Sequence, residues 1–142
     1  MQYVCDAGGR KTWFRLETEV EAAAETEILK HAVEKYFRRE KAAAERLYQP
    51  TGTHSIERDI GLNAHVARTM PMFLTLREHD GTPLATAMLP PGGKDSEFRI
   101  IIVGAANSDP YPTQGDAIAA LGKHYGLTLS RERCFPYQTY GV

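Results

Sequence analysis

The sequence predicts an α+β fold: a largely antiparallel sheet of five to six strands, covered on one face by one long N-terminal helix and one shorter C-terminal helix. Three observations predict it. Strand-like segments come in runs instead of alternating strictly with helices. Residues 18–48 repeat apolar side chains at helical spacing. An Asp80-Gly81 pair separates two alternating segments, which is a hairpin signature.

Taken in order, "QYVCDAGGRKTWFRLE" (2–17) holds two β-rich runs joined by Gly8-Gly9, and predicts a hairpin. In residues 18–48, Ile28, Leu29, Ala32, Val33, Tyr36, Phe37, Ala43, Ala44, Leu47 and Tyr48 trace one helical stripe. Thr18 with Glu21 fits a capping box, and "QPTG" (49–52) ends the helix. "IGLNAHVA" (60–67) alternates apolar and polar residues and predicts an extended segment, which Pro71 separates from the next strand. "MFLTLREHDGTPLATAML" (72–89) predicts a hairpin, "PPGGKDSE" (90–97) a loop, and the β-branched "FRIIIV" (98–103) a central strand. A second helix is expected from about Gln114 to Tyr125, capped by Thr113 and stopped by Gly126. "LTLSRERCF" (127–135) alternates again and predicts a last strand.

The 142 residues suit a single α+β domain over 1–142. Folding at this size removes roughly 68–70% of the unfolded surface from water. With 42% apolar residues, 25% charged residues, a net charge of −1 and a pI near 6.5, the chain carries no global electrostatic footprint for nucleic acid. The longest run of apolar residues and glycine, 100–106, falls far short of the ~20 residues that span a bilayer. No apolar stretch follows a basic N-terminus, so no secretory leader is expected. Cys5 and Cys134 lack CxxC or Cys/His spacing and are expected to be reduced thiols in a soluble, cytoplasmic protein.

Candidate chemistry is sparse. The nine-residue loop 104–112 follows the most strand-like run, and long loops at strand ends commonly carry function. Its polar rim names Asn107, Asp109, Tyr111 and Gln114 as ligand-binding candidates, although such residues also simply build turns. Asp116 at the start of the helix disfavours phosphate, so a neutral or cationic ligand is expected there. "PPGGKDS" lacks the frame of a phosphate loop. The five histidines form no HxH, HxxxH or HExxH pair. No metal site and no cofactor are expected. Glu27 and His31, four apart, read as a surface pair. His54, Glu57, Asp59 and His65 form the densest titratable cluster outside a predicted helix, and their bland reading is a solvated loop.

The long helix bears on partners. Residues 17–27 hold five glutamates and no base, while residues 30–46 hold six bases against three glutamates, the polarity that the helix dipole favours. Thirty helical residues would span ~45 Å, against roughly 37 Å for a compact domain of this size. A helix that overhangs would expose Ala43, Ala44, Leu47 and Tyr48 as an interface. The leading expectation is therefore a non-catalytic interaction module, self-associating as a dimer through its long helix or a sheet edge, or meeting an unidentified protein partner. The alternative is a small-ligand-binding protein or enzyme using the 104–116 loop. The third reading, a nucleic-acid binder through the basic half of the helix, is opposed by the interleaved glutamates. No complete catalytic motif is present, which favours a non-enzyme, and no membrane association is expected.

Overall fold

The computed structural model describes residues 1–49, 55–94 and 98–137. The chain is α+β, with a five-stranded antiparallel sheet and four α-helices among the described residues. Strands β1 (Gln2–Gly8) and β2 (Lys11–Arg15) form the N-terminal hairpin, with positive φ at Gly8 and Gly9 as the turn requires. Helices α1 (Glu19–Leu29), α2 (Val33–Arg46) and α3 (Ser55–Thr69) follow. Strands β3 (Met72–Arg77), β4 (Pro83–Leu89) and β5 (Ile101–Gly104) complete the sheet, and α4 (Tyr111–Tyr125) closes the order. The strands lie side by side in chain order, every neighbouring pair antiparallel.

Several expectations are corrected; among them, the strand expected to be central over 98–103 is β5, at the edge of the sheet. The 18–48 segment is not one long helix covering one face. The capping box of Thr18 and Glu21 starts α1 as its sequence requires, but α1 ends at Lys30, whose backbone is left-handed (φ 55°, ψ 48°). Nothing in "ILKHAVE" is a helix breaker. The break is tertiary, because His31 turns inward to reach the sheet and Thr26 Oγ1 accepts the Glu34 N–H at 2.9 Å, capping α2 from α1. Two helices of 11 and 14 residues replace the 30-residue rod, so the length argument for an overhang does not apply to this fold.

Residues 60–67 lie in α3 and not in an extended segment. Spacing of two is ambiguous, since residues four apart share a face of a helix as well as of a strand. Val66 is buried and Leu62 half-buried in the core, while Ile60 and Ala64 point to solvent. Gly61 completes the fit, because a Cβ there would collide with Tyr48 Oη.

Residues 127–135 form no strand; a 3-10 turn at Arg131–Arg133 leads to one bridge between Phe135 and Ile101. In α4 the backbone is non-helical at Gln114, where regular helix was expected to begin. Thr113 makes no capping bond; Asp109 Oδ1 accepts the Tyr111 N–H instead, at 3.0 Å. Gly126 (φ 70°) ends the helix as expected.

The helices therefore cover both faces of the sheet. Leu74, Leu76, Ala85, Ala87 and Ile102 pack with Ile118 and Leu121 of α4 on one side, where Trp13 Nε1 also donates to Ala117 O at 2.8 Å. Phe73 and Met88 pack with Ala22, Val33, Phe37 and Val66 of α1–α3 on the other. This follows from the pleat: both faces of β3 and β4 are apolar, and each needs a cover. No described helix is long and apolar enough to cross a membrane.

Candidate functional site

The two central strands carry one polar interruption, Thr75 and Thr86, directly opposite each other in the β3–β4 register and both buried. Each faces the side covered by α1–α3. A buried hydroxyl needs partners, and here they come from α1, from the linker after it and from the end of β3. Glu25, fully buried in α1, takes Arg77 Nη2 at 2.7 Å on Oε1 and the Thr86 hydroxyl at 2.8 Å on Oε2. Arg77 also donates from Nε to Thr75 Oγ1 (3.0 Å) and from Nη1 to Gly81 O (3.1 Å).

His31 completes the chain. Its Nδ1 accepts the Val33 N–H at 3.4 Å, which puts the ring proton on Nε2, and Nε2 donates to Thr86 Oγ1 at 2.8 Å. Burial holds the imidazole pKa below its ordinary value, against the opposing pull of its backbone hydrogen bond and of Glu25. The result is a relay from neutral His31 through Thr86 to a Glu25 carboxylate balanced by Arg77. No buried polar side-chain atom among the described residues lacks a partner.

This relay forms part of the wall of a cavity of about 320 Å³. His31, Val33 and Tyr36 line it from the start of α2, and Phe73, Met88, Ile101 and Val103 from the sheet. Phe135 and Pro136 close one side, held there because the Phe135 N–H donates to Ile100 O at 2.8 Å. Asn107 stands at the same cavity in a left-handed conformation (φ 60°), at the end of a tight turn in which Gly104 N–H donates to Ser108 O at 2.8 Å. Largely apolar walls with a few convergent polar groups are the usual make-up of a small-molecule site, and this volume is near the small end of the range.

The structure separates the four loop candidates. Asn107 lines the cavity; Asp109, Tyr111 and Gln114 do not. Asp109 pairs with Arg131 Nε at 2.7 Å, Tyr111 Oη donates to Leu129 O at 3.0 Å, and Gln114 Oε1 accepts from Lys11 Nζ at 2.8 Å. Tyr111 and Arg131 border a shallower groove of about 380 Å³ along α4. Tyr137, in edge contact with Tyr111, carries the Arg131 guanidinium over its ring and donates to Ser108 O, so these groups clamp the loop to the C-terminal segment.

Of the interface candidates, Ala44 is buried, Ala43 and Tyr48 are half-buried, and Leu47 is 73% exposed. Helix α3 meets two of them: the Tyr48 ring lies 5.3 Å from that of His65, whose Nε2 donates to Ala44 O at 3.0 Å. Glu57 and Asp59 are exposed on α3, and His54 lies outside the described residues. Among the described residues no group of three His, Cys, Asp or Glu could hold a metal ion. Both cysteines are free.

Sequence reasoning missed Glu25, Thr86 and Arg77, and it read His31 as the surface partner of Glu27. Glu27 is in fact exposed, and His31 turns away from it. The available signal was the pair of threonines at matching positions of the 72–89 hairpin, which implied a polar group above the sheet. Comparison of the chain with protein-family models, with curated proteins and with solved structures finds no match.

Proposed function

We propose that this chain binds a small, largely apolar molecule in the cavity beside His31 and Asn107. The observation that carries this reading is the meeting of a cavity of about 320 Å³ with a pre-formed polar relay on its wall. The apolar residues supply burial, and the His31–Thr86 pair and the Asn107 amide supply orientation. The reading is one of binding and not of catalysis. The Thr86 hydroxyl is committed to Glu25, and neutral His31 has both ring nitrogens engaged. A reducing compartment such as the cytoplasm suits two unlinked thiols.

The test is a fluorescence titration with phenylnaphthylamine, a neutral apolar dye, on the wild type and on Val103→Trp, which fills the cavity. Saturable binding to the wild type, lost in a variant with an unchanged circular dichroism spectrum, is the expected result. No saturable binding to the wild type, or equal binding to the folded variant, would overturn the reading.

A second reading, self-association as a dimer, rests on a different surface. Ile56 and Ile60 lie one turn apart on the outer side of α3, 72% and 64% exposed. Contiguous exposed apolar surface marks sites of interaction with other proteins. Light scattering at about 100 μM, where modest interfaces populate, would give a dimer mass that Ile56→Asp with Ile60→Asp converts to a monomer mass. A monomer mass for the wild type would remove this reading.

A further inference from the structure

The charges around the cavity are unevenly placed. Two of its lining rings, Tyr36 and Phe135, each carry a guanidinium 4.7 Å from the ring centroid, those of Arg39 and Arg99. Both arginines are exposed. Arg39 has one long ion pair, 3.6 Å to the adjacent Glu40, and Arg99 has none among the described residues. Stacking on a ring holds a guanidinium in place while leaving its in-plane donors open.

The inner wall offers an anion nothing comparable. Arg77 is spent on Glu25, Thr75 and Gly81, and it does not line the cavity. The Glu25 carboxylate lies one hydroxyl behind Thr86, where it would repel a second carboxylate. A charged group bound inside would thus be desolvated without a free counter-ion. Beyond the lining, in contrast, two exposed guanidiniums are held against Tyr36 and Phe135.

We propose that the ligand is a monoanionic amphiphile, an apolar ring or short chain bearing one carboxylate or sulfonate. Its apolar part lies among Val33, Phe73, Met88 and Ile101, and its acid group faces Arg39 and Arg99 beyond the lining. The proposal rests on the cavity reading above and adds the sign and place of the ligand's charge. A cationic ligand would meet two like charges there, and a neutral one would gain nothing from them.

Two dyes with the same aromatic body separate the claims: anilinonaphthalene sulfonate and neutral phenylnaphthylamine. Each is titrated into the wild-type protein, into Arg39→Gln with Arg99→Gln, and into Val103→Trp, with mutual competition. The expected result is that the dyes compete, that the sulfonate binds at least threefold more tightly at low salt, and that the double variant or high salt removes this advantage. Binding of the neutral dye should stay unchanged in the double variant, which also reports that the cavity has kept its shape. Saturable neutral-dye binding with no sulfonate advantage, or an advantage indifferent to the arginines, would overturn the charge assignment and leave the cavity reading standing. Failure of both dyes to saturate would overturn both.

Discussion

His31 Nε2 donates to Thr86 Oγ1 across 2.8 Å, and the same hydroxyl donates to Glu25 Oε2. That one bond joins the linker between α1 and α2 to the middle of the sheet. Together with the Val33 N–H that His31 Nδ1 accepts, it holds the imidazole as an uncharged part of the cavity wall, so the linker's position and the ring's protonation state are coupled.

Mild acid should therefore destabilise the fold. Burial depresses the folded-state pKa of His31, while the unfolded chain titrates near 6.5. Between those two values the unfolded state binds the extra proton. Stability from the neutral ring is complete above about pH 6.5 and is lost as pH falls toward the folded value, at up to ~1.4 kcal/mol per pH unit. Denaturant titrations at a series of pH values should show this slope, and His31→Gln should flatten it. Superimposable profiles for the variant and the wild type would show that another group titrates.

The buried pair of Glu25 and Arg77 makes a second prediction. Arg77→Met leaves a fully buried carboxylate without its cation, and this should cost about 3–5 kcal/mol. Adding Glu25→Gln removes the stranded charge and should restore at least half of the loss. A double-mutant cycle measures the coupling. Additive single effects would show that the pair is not a unit.

Phe37 is buried in α2, its ring centroid 5.2 Å from that of Phe73 on the sheet. Phe37→Ala should destabilise by about 3–5 kcal/mol. A loss below about 1 kcal/mol in denaturant titration would place α2 off the sheet.

Lys30 is exposed and holds a left-handed backbone. Lys30→Gly should raise stability by roughly 0.5–1 kcal/mol, as relief of left-handed strain outweighs the added freedom of the unfolded chain. A fall in the denaturation midpoint would indicate that the linker is not held in this conformation.

The parts of this fold written in local chemistry were legible in the sequence. The Gly8-Gly9 and Asp80-Gly81 turns, the capping box at Thr18 and the stop at Gly126 all stand where their residues place them. What could not be read was set by distant partners. No breaker marks the end of α1, because the interruption comes from His31 bonding to a threonine 55 positions away. Residues 60–67 satisfied two periodicities at once, and only Tyr48 and the core choose between them. The site shows the same division. Asn107 was visible as a polar residue in a long loop, whereas Glu25 was one glutamate among four on a charged helix and acquires its meaning only when that helix lies over Thr86.

The central claim, a small molecule seated beside His31 and Asn107, is tested most directly by intermolecular nuclear Overhauser effects between unlabelled phenylnaphthylamine and methyl-labelled protein. The account predicts contacts from the dye to the methyl groups of Val33, Met88, Ile101 and Val103, which line the cavity, and none to Ile118 or Leu121 under α4. Contacts confined to the α4 side, or to Ile56 and Ile60 on the outer face of α3, would contradict it.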